Sequence, residues 1–286
     1  MFEKAIQTLF KSVREEGYME KKTMPVRLKE LAHTFYNTRE ASIQEWQRRR
    51  ALLEEATDTR DRIFVSARKT FAKKGRSATI REICNEAGAN VAAVNYHFGN
   101  KDKLLASVLE AFLLEVRSIY PMNWDTGEEL TAEERLFIFV LAEMSGLLLS
   151  HGDEYLQLNK LLLDAFVNDF EEFEEAGNAH WVFLHDYVIP IIDGLTGNRW
   201  TLVQLEKLSA GFFAQMFFYA MHIEDLMMDR EENELTLAEV AGIAQHITAF
   251  SIGGMKNYSE FMDAENDFPN LCSLEHCKRA RRANRM

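Results

Sequence analysis

The chain has 286 residues, of which 47% are apolar and 27% charged, with 4 prolines, 14 glycines and 3 cysteines. This is the composition of one or two globular domains with enough apolar side chain to fill a core, and it excludes collagen-like and low-complexity chains. Cys84, Cys272 and Cys277 are too few, and odd in number, for a disulfide scaffold.

A reducing cytosol is expected. No apolar run reaches the ~18 residues of a membrane span. Leu136–Leu149 and Ala210–Ile223 are interrupted by Glu143, Gln215 and His222, and Met1–Ser12 lacks the long apolar core of a secretory signal. The expected location is cytoplasmic, with no membrane partner.

The net charge of −12 argues at face value against a nucleic-acid partner, but its distribution reverses that reading. Residues 1–57 hold 11 basic and 9 acidic side chains, residues 58–101 hold 9 and 4, and residues 102–286 hold 13 and 32. A basic segment is mounted on an acidic body.

Apolar residues recur at helical spacing after residue 60, and strand-like alternation is missing. Ile63, Phe64, Ala67 and Phe71 form one stripe, Leu136, Phe139, Val140 and Met144 a second, and Leu158, Leu161, Leu162, Ala165 and Phe166 a third. Helix starts are written as Thr-x-x-Glu/Gln at Thr79–Glu82, Thr131–Glu134, Thr201–Gln204 and Thr236–Glu239, the pattern in which each end satisfies an orphaned backbone N–H. Gly75, Gly88, Gly152, Gly177 and Gly197 read as stops. The predicted helices span 43–56, 59–74, 80–87, 91–98, 101–119, 132–150, 153–175, 179–194, 202–229 and 237–262. Pro121–Leu130 separates a small front module from a larger rear one.

Residues 59–101 carry the most information. A long helix precedes two short ones joined by Gly88-Ala89-Asn90, where glycine permits positive φ and Asn90 caps the second short helix. Ile80, Ile83, Cys84, Ala87, Val94 and Phe98 are spaced to bury one face of each short helix against Ile63, Ala67 and Phe71. Cys84 reads as core packing rather than a redox sensor. This is helix-turn-helix architecture, whose second short helix enters the DNA major groove.

Thr79-Ile80-Arg81-Glu82-Ile83-Cys84-Asn85-Glu86-Ala87-Gly88-Ala89, followed by Val94-Asn95-Tyr96-His97-Phe98-Gly99-Asn100-Lys101, resembles the signature of the TetR family of bacterial transcriptional regulators. The resemblance runs from Arg60 to Phe112. The sequence departs from the family where Cys84 replaces the usual Ala, and where Asn90 replaces Ser or Thr while keeping its capping chemistry. The resemblance implies an all-α protein: an N-terminal three-helix helix-turn-helix DNA-binding domain, then a larger helical ligand-binding and dimerisation domain.

The DNA-contact set is Thr79, Arg81, Asn90, Val91, Ala93, Asn95, Tyr96, His97 and Lys101. Lys101 and Arg81 pair with phosphates, or Arg81 reaches a base edge. Tyr96 contacts the backbone; His97 does so too, or caps and packs. Asn95 and Ala93 face the groove if Val94 and Phe98 point inward, and Val91-Ala92-Ala93 meets thymine methyls. Thr79 caps its helix and touches a phosphate. Lys73, Lys74 and Arg76 supply long-range attraction.

In the rear half, Met216-Phe217-Phe218-Tyr219 and Met227-Met228 read as core or dimer interface rather than a cofactor box. Ser209–Gln215 and Phe250–Met255 resemble the CecR-type subgroup of TetR regulators. That resemblance implies a homodimer through a four-helix bundle, with Ala210, Gly211, Gly253 and Gly254 allowing close approach, and a palindromic operator matching the two-fold axis. It also implies a cavity for a small-molecule effector, with Phe139, Met144, Phe166, Trp181 and His185 as lining candidates. A histidine at the position of His185 is more often a satisfied interior histidine than a ligand contact.

The resulting domains are 1–57, an N-terminal helical extension; 58–119, the DNA-binding domain with its connecting helix; 120–264, the effector-binding and dimerisation domain; and 265–286, a disordered basic tail. In the extension, Ser42 and Glu45 open a helix bearing Trp46-Gln47-Arg48-Arg49-Arg50, which lengthens the DNA surface or packs beside the 59–74 helix. A second, degenerate helix-turn-helix over Leu28–Arg50 is a further reading, and Met19 and Met24 are alternative starts. Cys272, Cys277 and His276 cannot complete a four-ligand zinc site alone.

No cofactor is expected, and no enzyme. Glycine-rich phosphate loops, Gly-x-Ser-x-Gly and His-Glu-x-x-His are absent from the sequence, and Glu-x-x-His occurs once, at Glu30–His33, where di-metal helical enzymes need two, although Glu154 and Asp164 are long-range carboxylate candidates. The rival reading is a helical protein-interaction adaptor without specific DNA binding.

Overall fold

The computed structural model describes residues 25–261 apart from 56, 125, 126, 128, 150, 169 and 228–234, and leaves aside the side chains of 224, 227 and 259–261. The readings made on Met19, Met24, Met228 and the 265–286 tail therefore lie outside the described residues. No strand occurs among those described. The helices are α1 (Val26–Glu54), α2 (Thr59–Lys74), α3 (Ile80–Ala87), α4 (Val91–Phe98), α5 (Lys101–Ile119), α6 (Ala132–Leu148), α7 (Asp153–Val167), α8 (Glu174–Leu195), α9 (Leu202–Met221), α10 (Ile223–Met227) and α11 (Leu237–Phe261). Short 3-10 turns occupy Gly75–Ser77 and Glu171–Phe173.

The protein is all-α, and the front elements α2 to α5 have the predicted bounds. All four capping boxes form: Thr79, Thr131, Thr201 and Thr236 each accept from, and donate to, the residue three positions on.

Three rear or flanking elements differ from expectation. The first helix begins at Val26, not 43, because the apolar stripe continues back through Trp46, Phe35, Ala32 and Leu31 to Pro25, which precedes the helix and needs no N–H there. The predicted 153–175 helix ends at Val167 and restarts at Glu174. Gly177 lies inside α8 rather than stopping a helix. It is buried, and a Cβ there would meet Phe166 at 3.4 Å and Phe173 at 3.5 Å, so glycine permits close packing at that point. The predicted 202–229 helix breaks at His222, whose Nδ1 lies 3.1 Å from Asp225.

The contacts fall into two compact units. One contains residues 25–37, 121–149 and 181–261. Its centre is α6, which packs on α9 and α11. Every residue from Leu136 to Ala142 is buried, the mark of a helix covered all round. Its buried hydroxyl, Ser145, donates to the Leu141 carbonyl at 2.6 Å and meets the Tyr36 hydroxyl at 3.2 Å. Burial pushes the Tyr36 phenol up to about 12.

The other unit contains residues 38–120 and 150–180. Here α2 is central, packing on α3, α4, α5 and α7 around Ile63, Ala67, Phe71, Phe112 and Tyr155. His180, in the first turns of α8, is buried in this unit. Its Nδ1 faces a guanidinium N–H of Arg117, and its ring packs 5.6 Å from Phe166. Burial, reinforced by the Arg117 charge, lowers its pKa to about 3.

A histidine that resists protonation when folded, and protonates normally at 6.5 when unfolded, makes the unfolded chain the better proton acceptor. It costs nothing above that pH; the folded state weakens as pH falls below it, and the loss is complete near 3. Urea midpoints followed from about pH 7 to about pH 5 should decline in the wild type and decline less in His180→Gln. Parallel profiles would show that His180 does not govern this range.

Candidate nucleic-acid interface

The basic 58–101 segment builds one surface from four capped elements. Asp58 opens α2 by accepting from the Arg60 N–H at 2.8 Å. Thr79 opens α3, and Glu82 closes that capping box by accepting from the Thr79 N–H and hydroxyl, each at 2.9 Å. Asn90 opens α4 by accepting from the Ala93 N–H at 2.8 Å, and Asn100 opens α5 by accepting from that of Lys103 at 2.8 Å. Between α3 and α4, Gly88 has φ 59° and ψ 37°, the left-handed conformation that turns the chain sharply.

These caps place the faces. Ile83, Cys84 and Ala87 of α3 and Val94 and Phe98 of α4 are buried. Val91, Ala92, Asn95 and Tyr96 are exposed, at the i, i+1, i+4, i+5 spacing of one helix face, with Tyr96 85% exposed. Ala93 and His97 are half-buried at the edges of that face, and the His97 ring stands edge-on to Tyr96 at 5.0 Å. Burial raises the Cys84 thiol pKa, which disfavours a reactive thiolate.

The cations differ in availability. Arg81 and Lys73 are exposed and form no ion pair among the described residues. Lys74 pairs with Glu82, and this bond, with those from Thr79, holds the Glu82 carboxyl down to about 2. Arg76 lies 3.7 Å from Asp164 and 4.2 Å over the Phe170 ring. Lys101 donates to the Arg76 carbonyl at 2.8 Å, and its ammonium keeps two further donors. Arg60, outside the predicted contact set, lies with its guanidinium 5.4 Å over the Phe98 ring and its side chain largely exposed, beside the end of α4. Its only sequence signal is a cation just after the Asp58 cap.

The lining candidates of the rear half divide between the units. Phe139, Trp181 and His185 converge on Phe213, at 6.1, 5.2 and 5.5 Å, with Phe217 stacked on Trp181 and Tyr187 stacked on Phe139. Met144 is fully buried in the same unit. Phe166 belongs to the other unit, where it packs against Phe173 and His180. A surface groove of about 480 Å³ lies beside α1 and α5, lined by Ala41, Ser42, Trp46, Leu53, Arg50 and Glu115 among others; Arg50 and Glu115 are both engaged in ion pairs. Glu154 and Asp164, the long-range carboxylate candidates, are paired with arginines, and no metal-holding group of His, Cys, Asp or Glu occurs among the described residues.

Residues 63–108 match the family described as bacterial regulatory proteins, tetR family. The chain is 37% identical over 100 residues to the HTH-type transcriptional repressor SCO4008 of Streptomyces coelicolor, covering 34% of this chain and 51% of that protein. It is 28% identical over 127 residues to the HTH-type transcriptional regulator SrpR of Pseudomonas putida, covering 44% and 53%. It is 27% identical over 127 residues to the uncharacterised HTH-type transcriptional regulator TtgW of Pseudomonas putida, covering 44% and 84%. The matched stretches span about half the length of the first two relatives. Residues 63–108 are therefore similar to the TetR-type helix-turn-helix domain, and the matched relatives are described as transcriptional regulators.

A Cβ at Gly88 would meet nothing within 4 Å, so Gly88→Ala tests backbone strain alone. It should destabilise the protein by about 1–2 kcal/mol, read from denaturant midpoints. An unchanged midpoint would show that this turn relaxes out of the left-handed conformation.

Proposed function

We propose that the protein is a DNA-binding transcriptional regulator that lays α4 in the major groove. The observation that carries this reading is the face of α4: Val94 and Phe98 are buried while Val91, Ala92, Asn95 and Tyr96 are exposed within a basic segment of an acidic chain. Asn95 is the base reader, Val91 and Ala93 meet thymine methyls, and Arg81, Tyr96, His97 and Lys101 hold the backbone, with Thr79 and Asn90 presenting their caps to it. Repressor is the favoured sense, because one relative carries that description.

The regulator acts as a homodimer on a palindromic operator in the cytoplasm, through its 120–264 portion. Support for dimerisation comes from α9 and α11, which expose Ala210, Gly211, Ala214, Phe218 and Met221 on one, and Phe250 (67% exposed), Gly253 and Gly254 on the other. An apolar face interspersed with small residues suits close pairing with a second copy. The resemblance of 209–215 and 250–255 to CecR-type regulators supports the same arrangement. A small-molecule effector, seated by the aromatic side chains around Phe213, would weaken DNA binding only through its preference for one of two dimer states.

Selection from a random duplex pool should enrich a symmetric site; failure to enrich any sequence at moderate salt would favour the adaptor reading. Lys101→Ala should weaken binding to every duplex and reduce the slope of log affinity against log salt by about one. Asn95→Ala should relax preference at one operator position at a cost of about 1–3 kcal/mol. An unchanged slope, or an unchanged base preference, would remove the residue concerned from the contact set. Sedimentation at micromolar concentration should give a dimer; a monomer would contradict the paired-helix interface.

A further inference from the structure

The helix that precedes the DNA-binding module contributes to a charged hub at its centre. Arg68, midway along α2, is only 6% exposed. Its two terminal nitrogens donate in parallel to Glu115 of α5, at 2.6 and 2.8 Å, and its Nε donates to Glu154 of α7 at 2.7 Å. Both carboxylates are also held by α1. Trp46 Nε1 donates to Glu115 at 2.9 Å, and Arg50 lies 2.5 Å from the second oxygen of Glu154. The Arg50 guanidinium lies 5.5 Å over the Trp46 ring, which is itself buried against Tyr155. Two arginines and two glutamates thus balance where four helices meet.

The rest of the positive run on α1 is turned elsewhere. Glu45 accepts from both Arg48 and Arg49, at 2.8 and 2.7 Å. Arg50 faces inward to Glu154. The helix offers the module an anchored edge rather than a row of unpaired cations.

We propose that α1 is a positioning element of the DNA-binding unit: Trp46 and Arg50 hold the two carboxylates that fix Arg68, and so hold α2, against which α3 and α4 pack. A buried guanidinium keeps its orientation only while its acceptors keep theirs, so slack at Trp46 or Arg50 passes to α2 and to the angle at which α4 meets DNA. This inference rests on the proposed DNA-binding reading.

The test uses the full chain, the duplex enriched by selection and a scrambled duplex, well below the unfolding midpoint of every variant. Trp46→Phe keeps an aromatic ring but removes the N–H donor together with part of the buried indole, so its denaturant midpoint is measured alongside its binding. Arg50→Gln removes the charge, and Arg50→Lys retains it. Trp46→Phe and Arg50→Gln should each weaken binding to the selected duplex by about threefold to thirtyfold, the range for coupling through packed side chains, with the salt slope unchanged. Arg50→Lys should recover part of the loss. Two results would overturn the inference: folded variants that bind like the wild type, or a slope reduced by about one in Arg50→Gln, which would make Arg50 a direct phosphate contact. If Trp46→Phe does not fold, the Arg50 pair decides alone. A wild type that prefers no duplex would instead overturn the DNA-binding reading itself.

Discussion

An isolated helix of eight residues does not hold together in water, because the cost of its first turn is not recovered over so short a length. The α4 helix persists because Val94 and Phe98 are buried, because Asn90 caps its start and because Gly99 ends it. Everything proposed for the chain depends on that docking. The same two side chains that hold α4 down determine which residues are turned outward, so packing and recognition are set by one helical phase. Arg60 over Phe98 adds a cation to the edge of the same patch.

Electrostatics support the arrangement at two scales. Over the whole chain, the basic segment is set against an acidic remainder, which biases how a polyanion approaches. Locally, several of the cations are committed within the protein, Lys74 to Glu82, Arg76 to Asp164 and Arg68 to two glutamates. Exposed cations such as Arg81, and the spare donors of Lys101, are the ones the proposed DNA-binding reading assigns to phosphates. A count of lysines and arginines overstates the number free to act; the hydrogen bonds sort them.

The front module was legible in the sequence because its signals are local. A cap, a glycine and an apolar phase lie within a few residues of one another, and they place α2 to α5 and the outward face of α4. The Thr-x-x-Glu/Gln boxes were equally local and equally readable. What was illegible depends on distant partners. Arg68 in an apolar stripe hints at a buried carboxylate, but nothing in the sequence selects Glu115 or Glu154, which lie 47 and 86 positions away. Gly177 imitates a helix stop because a glycine required by tight packing and one required by a turn look alike in a sequence. The early start of α1 was hidden by charged residues that dilute its stripe, while Phe35 and Trp46 anchor it through contacts far along the chain.

The most direct test of the central claim is amide hydrogen exchange on the full chain, with and without the duplex that selection enriches. The account predicts new protection concentrated in 91–96 and in the first turn of α5 around Lys101, with the buried α6 unchanged. Protection that leaves 91–96 untouched while the DNA is bound would place the nucleic acid on another surface and contradict the account.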